Sequence, residues 1–149
     1  MHLLNIRKDD LNWLNKALNK KDLREYRKTI LVKDGYAYAT NGHVIHKVKC
    51  AADEQNGVYS KDGTKIDTQD DHPLLEDMFN SSFTLDCTLS VIPESLGVLK
   101  VVEGVGLNTL YFDNAVAKAS KITIKLHENK DRVYIHYDNR EVIIMGTRL

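Results

Sequence analysis

The chain has 149 residues, and its 21 Lys and Arg residues balance its 21 Asp and Glu residues, so the formal net charge is zero. This length suits one compact domain, which can bury enough surface to fold without disulfides. Zero net charge excludes a protein held on nucleic acid by its bulk charge, so any such binding requires a local basic patch.

Two cysteines, Cys50 and Cys87, lie far apart and belong to no CxxC motif. This usage is typical of reduced thiols in a reducing compartment, and the expected location is the cytoplasm. The apolar run over 3–6 is too short for a signal peptide, and no stretch approaches the ~20 apolar residues of a membrane span. We therefore expect no association with a membrane.

Residues 1–50 predict a strand, a helix and three further strands. A short strand is expected over 3–6, and Asp9 or Asp10 is expected to be the N-cap of a helix that ends near Asn19. Apolar residues at helical spacing predict its buried stripe, which comprises Leu11, Leu14 and Leu18.

A three-stranded meander follows the predicted helix. Its strands are expected over 29–32, 36–40 and 43–49, where β-branched and apolar residues alternate with others. Asp34-Gly35 and Asn41-Gly42 separate them, and both pairs favour type I′ turns because such turns need positive φ.

The same order is predicted for residues 83–149. A strand over 83–91 leads to a helix that begins at Pro93 and ends at Gly104 and Gly106. Four apolar residues form the predicted stripe of this helix: Leu96, Leu99, Val102 and Val105. Four strands are then expected over 109–112, 121–127, 132–137 and 141–145.

The segment 51–82 is polar and acidic. Between Ala52 and Asn80 it carries eight acidic residues against Lys61 and Lys65, a net charge of −6. We expect a surface connection between the two halves, with a small hairpin at Asp62-Gly63. The predicted organisation is one domain over 1–149 with an internal repeat.

Several motifs resemble the bacterial sliding clamp, the β subunit of the replicative DNA polymerase. The residues concerned are 22–26, 30–32, 39–43, 91–94 and 142–149. Ala39-Thr40-Asn41-Gly42-His43 is similar to the family's Ala-Thr-Asp-Gly-His motif, and the C-terminal run is similar to its apolar strand ending in Met-Arg-Leu. The resemblance implies an α+β fold: a single DNA-clamp-like domain of two β-α-β-β-β halves, with two helices packed on antiparallel sheets.

The sequence also departs from the family. Asn41 stands where the family usually has Asp, Val44 where it has Arg, and Gly146 where it has Pro. Bacterial clamp chains contain three such domains, whereas this chain has room for one.

In the clamp family, the Gly-His turn and the C-terminal residues line a groove that binds short linear peptides of polymerases and loaders. The resemblance assigns eight residues of this chain to that groove: Thr40, Gly42, His43, Val44, Ile45, Met145, Arg148 and Leu149. Apolar walls with a few fixed polar groups, together with an adaptable Met, suit peptide binding. The alternative is that Val44, Ile45 and Met145 are simply core residues and that the tail is frayed.

The first helix and its exit carry a local excess of positive charge, from Lys16, Lys20, Lys21, Arg24, Arg27 and Lys28. At helical spacing, Lys16 and Lys20 point away from the leucine stripe. In a clamp such residues face DNA phosphates without reading sequence, a role that Lys and Arg suit. The alternative is a solvated helix face. The second predicted helix weakens the DNA interpretation, since it carries Glu94 and Glu103 beside Lys100.

These observations favour a non-enzymatic DNA-replication accessory, a sliding-clamp-like processivity or tethering factor that binds double-stranded DNA and a polymerase or another replication protein. No catalytic motif, cofactor motif or metal motif is present in the sequence. A ring would require a homohexamer, and a protein so small suits a phage. One alternative is a clamp mimic that forms no ring and competes for host replication partners. Another is a metal-dependent nuclease or phosphodiesterase that uses Asp67, Asp70, Asp71 and His72.

Overall fold

The structure is a computed structural model of the chain. It describes residues 2–18, 28–67, 75–80, 83–89, 99–102, 105–117, 119, 121–129 and 131–148. It divides into two compact units, Met1–Leu75 (unit 1) and Glu76–Leu149 (unit 2). Within the described ranges, no helix combines the length and the apolar character that crossing a membrane requires.

The described residues of unit 1, up to Asp67, form one helix and a five-stranded antiparallel sheet. The elements are α1 (Lys8–Asn15), β1 (Ile30–Lys33), β2 (Tyr36–Thr40), β3 (Val44–Lys49), β4 (Gly57–Tyr59) and β5 (Lys65–Ile66). Within this unit the strands pair in the order β5-β4-β1-β2-β3. The helix packs against β2 and β3.

Helix α1 starts earlier and ends earlier than predicted. Arg7 is its N-cap, with no side-chain hydrogen bond to the helix, and Asp9 and Asp10 lie within the first turn. Carboxylates there still favour the helix, because the helix dipole is positive at this end. Asn15 is the last helical residue, so the predicted end near Asn19 was wrong.

The buried face of α1 is centred on Trp13, which the leucine spacing did not reveal. The rings of Trp13 and His46 stack with centroids 4.2 Å apart, and His46 Nδ1 lies 2.9 Å from the carbonyl oxygen of Trp13. Both side chains are buried, as are Leu14 and Ala17, whereas Leu11 is only half-buried. This contact joins α1 to β3.

The meander of unit 1 agrees with the sequence prediction. Strand β2 covers residues 36–40, and the turn before it has positive φ at Asp34 (52°) and Gly35 (86°). Positive φ at both central residues defines the type I′ turn that an Asp-Gly pair favours.

Two predictions at the borders of the meander were wrong. Leu3 forms only an isolated bridge to Thr64, where a strand over 3–6 was expected. The acidic segment after residue 50 is more than a connection, because β4 pairs with β1 and buries Tyr59 completely. The hairpin at Asp62-Gly63 was predicted correctly, with Gly63 at φ 91°.

A buried carboxylate fastens the N-terminal segment to this acidic stretch. Glu54, whose side chain is 2% exposed, accepts hydrogen bonds from the Asn5 backbone N–H at 2.5 Å and its own neighbour Gln55 at 2.9 Å. His2 Nε2 lies 2.5 Å from the carboxylate, and the Tyr59 hydroxyl lies 3.4 Å away. Burial alone would raise the pKa of Glu54, but these hydrogen bonds lower it to about 2.

The only cysteine whose side chain the structure describes is the free thiol Cys50, just after β3. It is buried, and its backbone N–H donates to the Gly35 carbonyl at 2.9 Å. Burial and the nearby Glu54 carboxylate raise the pKa of the thiol. The thiol is therefore protonated and unreactive at neutral pH.

The described residues of unit 2 form two sheets, the helix α3 and most of the short helix α2. The elements are α2 (Leu75–Phe79, at the unit boundary), β6 (Phe83–Leu89), β7 (Leu99–Val102), β8 (Val105–Asn108), α3 (Thr109–Val116), β9 (Ile122–His127), β10 (Arg132–Tyr137), β11 (Arg140–Met145) and β12 (Thr147–Arg148). Within this unit the strand orders are β11-β10-β9-β6 and β12-β8-β7, all antiparallel.

The helix predicted from Pro93 onward was wrong where the structure describes it. Leu99–Val102 form a strand that pairs with β8, and residues 90–98 lie outside the described residues. Helix α3 forms further along the chain, where a strand over 109–112 was expected. Asn108 caps it by accepting from the backbone N–H groups of Leu110 at 2.9 Å and Tyr111 at 3.3 Å.

Both units contain a helix followed by a three-stranded antiparallel meander. In unit 1 the order is α1-β1-β2-β3, preceded by the bridge at Leu3, and in unit 2 it is α3-β9-β10-β11, preceded by β8. The predicted α+β class and its repeat are therefore confirmed, although the second strand-helix pair lies further along the chain than predicted.

Candidate functional site

The turn between β2 and β3 is held by side chains on both of its flanks. Thr40 Oγ1 donates to the Val44 carbonyl at 2.9 Å and accepts from the Gly42 N–H at 3.0 Å. Asn41 Oδ1 accepts from the backbone N–H groups of His43 at 2.8 Å and Val44 at 3.1 Å. These four bonds satisfy the backbone of a turn that would otherwise depend on water.

This turn is not the predicted type I′ turn. Between Asn41 and Val44, only Gly42 has positive φ, at 93°. Gly42 occupies the first central position, where a type II′ turn requires glycine. The chemical reason for the difference is Asn41, whose side chain bonds forward to the turn instead of letting its own backbone adopt positive φ.

The five predicted groove residues of unit 1 fall into two groups. Gly42 and His43 are exposed, whereas Thr40, Val44 and Ile45 are 3%, 1% and 7% exposed. The alternative interpretation of Val44 and Ile45 as core residues agrees with this burial. The exposed His43 side chain extends from a turn whose backbone is held by the Asn41 side chain.

Replacing Asn41 tests how far this turn depends on its side chain. We expect Asn41→Ala to lower the free energy of unfolding by about 1 kcal/mol, because two backbone N–H groups lose their acceptor. The matched control is Asn41→Asp, which keeps an acceptor oxygen at the same reach and should cost less than about 0.5 kcal/mol. Urea unfolding of the three proteins measures both values. Equal losses in the two variants would show that the acceptor is unimportant.

The C-terminal groove residues lie on and after β11. Met145 is half-buried at the end of that strand. The Gly146 N–H donates to the Asp131 carbonyl at 2.9 Å, and β12 pairs with β8 through Thr147–Gly106 and Arg148–Val105. The tail is thus held in a sheet as far as Arg148, which contradicts the alternative of a frayed tail. Leu149 lies outside the described residues.

Gly146 is required by close packing. A Cβ atom there would lie 2.4 Å from Val105 Cγ1, 3.1 Å from the Gly106 carbonyl oxygen and 3.2 Å from Leu107 Cδ2. The first distance is well inside van der Waals contact, so no larger residue fits without movement.

Two of the six predicted DNA-facing residues are described. Lys16 is exposed at the C-cap of α1, and Lys28 is half-buried before β1. Lys20, Lys21, Arg24 and Arg27 lie outside the described residues. The outward side of α1 also exposes Lys8 and Asp9. Lys100 belongs to β7 rather than to the predicted second helix, and Glu94 and Glu103, which weakened the DNA interpretation, lie outside the described residues.

Most residues of the alternative metal site lie outside the described residues. Asp67 is exposed, and Asp70, Asp71 and His72 are among the residues that the structure does not describe. Among the described residues, no group of three or more His, Cys, Asp and Glu side chains is arranged to hold a metal ion.

Sequence reasoning also missed a pocket in unit 2, which contains Phe79, Phe83 and Tyr134. These residues come from three elements, and no local spacing in the sequence relates them. The only available signal is that the residues at 79, 83 and 134 are aromatic, which is equally consistent with core packing.

The antiparallel sheets and the repeated helix-meander units define an α+β fold of the DNA-clamp type. No protein-family model and no curated protein matches the sequence. Solved bacterial sliding clamps match the structure. The Pseudomonas aeruginosa DNA polymerase sliding clamp has a TM-score of 0.61 and 14% identity over 97% of this chain and 66% of that chain.

Two further clamps give similar values. The H. pylori β clamp in complex with diflunisal has a TM-score of 0.65 and 10% identity, over 99% of this chain and 65% of that chain. The β subunit of DNA polymerase III from Thermotoga maritima has a TM-score of 0.60 and 13% identity, over 93% and 61%. The chain thus spans just under two thirds of the clamps it matches, and at these identities the likeness concerns the fold.

Proposed function

We propose that this protein is a non-enzymatic, sliding-clamp-like DNA-replication accessory that tethers a polymerase or another replication protein to double-stranded DNA. The observation that carries the proposal is the clamp-type fold, matched over 97% of the chain. The Gly42-His43 turn supports it, because the motif that resembles the clamp family forms an exposed and internally bonded turn. Such a protein acts in the cytoplasm.

The proposed partner site is a peptide groove with two contributions. One is the turn that carries His43, and the other is the C-terminal segment with Met145, Arg148 and Leu149. An exposed imidazole on a fixed turn offers a polar group of constant position, and a half-buried Met offers an adaptable apolar surface. A short linear peptide of a replication protein is the corresponding ligand.

The proposed DNA-facing surface is the outward side of α1 and the basic residues that follow it. Lys16 is exposed there, and Lys20, Lys21 and Arg24 continue the basic run. Contacts of this kind are made to phosphates, so they depend on salt and not on base sequence. Encircling DNA with chains of this size requires several copies, and the proposed ring is a homohexamer.

A salt-titrated binding measurement tests the DNA contact. We expect a fluorescent 30-base-pair duplex to bind the wild type with an affinity that falls steeply between about 50 and 200 mM salt. Replacing Lys16, Lys20 and Arg24 together by Ala should weaken binding at least about tenfold at low salt. The slope of log K against log salt should fall by about 3, because roughly one counterion is released per contact.

The matched control removes the same charge elsewhere in the chain. Lys49, Lys65 and Lys121 are all exposed and none of them lies on α1, so replacing them together by Ala leaves the α1 surface intact. The proposal predicts wild-type affinity for this control. If both triple variants bind DNA with wild-type affinity, or if both lose affinity equally, the α1 surface has no specific DNA role.

A further inference from the structure

Unit 2 contains a pocket of about 250 Å³, lined by Phe79, Phe83, Lys125, Tyr134 and Glu141. Five elements contribute one residue each: α2, β6, β9, β10 and β11. Sites for drug-sized molecules typically measure about 300–1,000 Å³, so this pocket can take one small ligand and not a large one.

The aromatic side chains form an angled wall and not a closed stack. Phe83 and Tyr134 have centroids 5.4 Å apart at 40°, and Phe79 and Tyr134 have centroids 6.3 Å apart at 79°. His127 contacts Phe83 edge to face, with the ring centroids 5.3 Å apart. All three rings are half-buried and line the pocket, so part of each is accessible for a flat ligand to stack on.

The polar groups of the pocket have opposite charges on opposite sides of Tyr134. Lys125 on β9 lies directly across from Tyr134 in the strand register, and Glu141 lies on β11, the other neighbour of β10. The Tyr134 hydroxyl donates to Glu141 Oε1 at 2.8 Å. Burial, and then this hydrogen bond, raise the pKa of Tyr134, so the hydroxyl stays a donor and holds the carboxylate in place.

We propose that this pocket binds a nucleotide whose base carries an amino group, either free or as an unpaired residue of single-stranded DNA. The base stacks on the aromatic wall, its amino group donates to the Glu141 carboxylate, and its phosphate pairs with the Lys125 ammonium. Stacking on aromatic side chains with a nearby cation is the usual way proteins hold unpaired nucleotides. A carboxylate is an acceptor for an exocyclic amine such as that of cytosine.

The charge arrangement decides between this ligand and simpler ones. An arginine side chain would stack on the rings and pair with Glu141, but Lys125 would repel it. A carboxylate ligand would pair with Lys125, but Glu141 would repel it. A nucleotide combines an anionic phosphate with a base that donates hydrogen bonds, so it can contact both residues without facing a like charge. The site shares no residue with the proposed groove or the α1 surface, and it does not depend on the proposed function.

Titration of the full-length protein with mononucleotides tests the site. We expect dCMP to shift the amide resonances of Phe83, Lys125 and Tyr134 with a Kd on the order of 1 mM. Binding of dTMP should be about tenfold weaker, because thymine has no exocyclic amine to donate to Glu141. A fluorescent oligo-dC that binds much more tightly than dCMP identifies single-stranded DNA as the source, and equal affinity identifies the free nucleotide.

Three variants and two controls separate the site from general effects. Phe79→Leu keeps apolar bulk without a ring and should weaken dCMP roughly 5- to 100-fold. Glu141→Gln should remove the preference for dCMP over dTMP, and Lys125→Gln should weaken both. Tyr36→Leu removes a ring that lies beside Lys47 in unit 1, and Glu128→Gln removes an exposed carboxylate, so both should bind dCMP as the wild type does.

Several results would overturn the proposal. One is the absence of shifts with dCMP at about 20 mM, well above the expected Kd. Another is wild-type dCMP affinity in folded Phe79→Leu and Glu141→Gln, with folding checked by circular dichroism. A third is N-acetyl-arginine amide shifting the same resonances more strongly than dCMP, which would assign the pocket to a cationic side chain.

Discussion

Replacing Glu54 by Gln is expected to lower the free energy of unfolding by about 3 kcal/mol at pH 7. The carboxylate, whose own side chain is only 2% exposed, accepts from Asn5 and Gln55 and touches His2. Hydrogen bonds to a charged acceptor contribute about 1.5–3 kcal/mol each. The amide group of glutamine would place its two N–H donors where the surrounding groups are also donors. Urea unfolding measures the loss. Faster hydrogen exchange of the Asn5 amide would show that the N-terminal segment is released.

The same variant should change how stability depends on pH. The pKa of Glu54 is about 2 in the folded protein against an ordinary 4.5, so its stabilising contribution is complete above about pH 4.5. That contribution falls as pH drops from about 4.5 to about 2, since the proton binds more tightly to the unfolded chain. The difference between wild type and the glutamine variant should therefore shrink over that range.

Glu128→Gln is the control for this comparison. Glu128 is exposed after β9, so removing its charge should change stability by no more than about 0.5 kcal/mol. Other carboxylates titrate equally in wild type and variant and therefore cancel in the difference. A difference between wild type and Glu54→Gln that stays constant from pH 7 to pH 2 would contradict the role of the carboxylate charge.

Gly146→Ala is expected to lower the free energy of unfolding by about 1–3 kcal/mol. The added Cβ would lie 2.4 Å from Val105 Cγ1, and the neighbouring backbone leaves little room to move. Because β12 is held to β8 by only two residue pairs, the easiest relief is to detach Thr147 and Arg148. Hydrogen exchange of these two amides, together with urea unfolding, measures the effect.

A second substitution makes this prediction specific. Val105→Ala removes the methyl group that the new Cβ would meet, so the double variant Gly146→Ala/Val105→Ala should be more stable than the sum of the two single losses predicts. A coupling of about 1–2 kcal/mol is expected for residues in direct contact. Strictly additive losses would mean that the Gly146 substitution acts in some other way, for example through the unfolded chain.

Local chemistry made the positions of the unit 1 hairpins predictable, although not the type of the turn at Asn41-Gly42. Asp34-Gly35 adopts the turn that its residue types require, and β2 and β10 match the predicted spans 36–40 and 132–137. Turn residues act on their own backbone, so no distant information is needed. The resemblance to clamps supplied the fold class, which the structure confirms.

The second helix was misplaced because two local signals competed. Leu96, Leu99 and Val102 have helical spacing, but β-branched Val101 and Val102 fit a strand equally well, and pairing with β8 decides the outcome. The true helix start at Asn108 carries a favourable capping residue that the sequence reasoning overlooked.

The residues that reasoning from local patterns did not find depend on distant contacts. Trp13 meets His46, and Tyr134 meets Phe79, across more than thirty positions of the chain. Glu54 stood in an acidic stretch that predicted only a surface connection. Its burial follows from pairing of the N-terminal segment with residues after β4, which spacing along the chain does not encode.

The Cys50 thiol lies at the end of β3, buried and with a raised pKa. A thiol in this state is alkylated only during the brief intervals in which its surroundings open. Under native conditions, the rate at which iodoacetamide labels Cys50 therefore equals the rate at which this part of unit 1 opens, multiplied by the probability that the thiol reacts during one opening. The labelling rate of Cys50, followed separately from that of Cys87 by mass spectrometry, thus reports how often the sheet that supports His43 opens, and no residue has to be substituted.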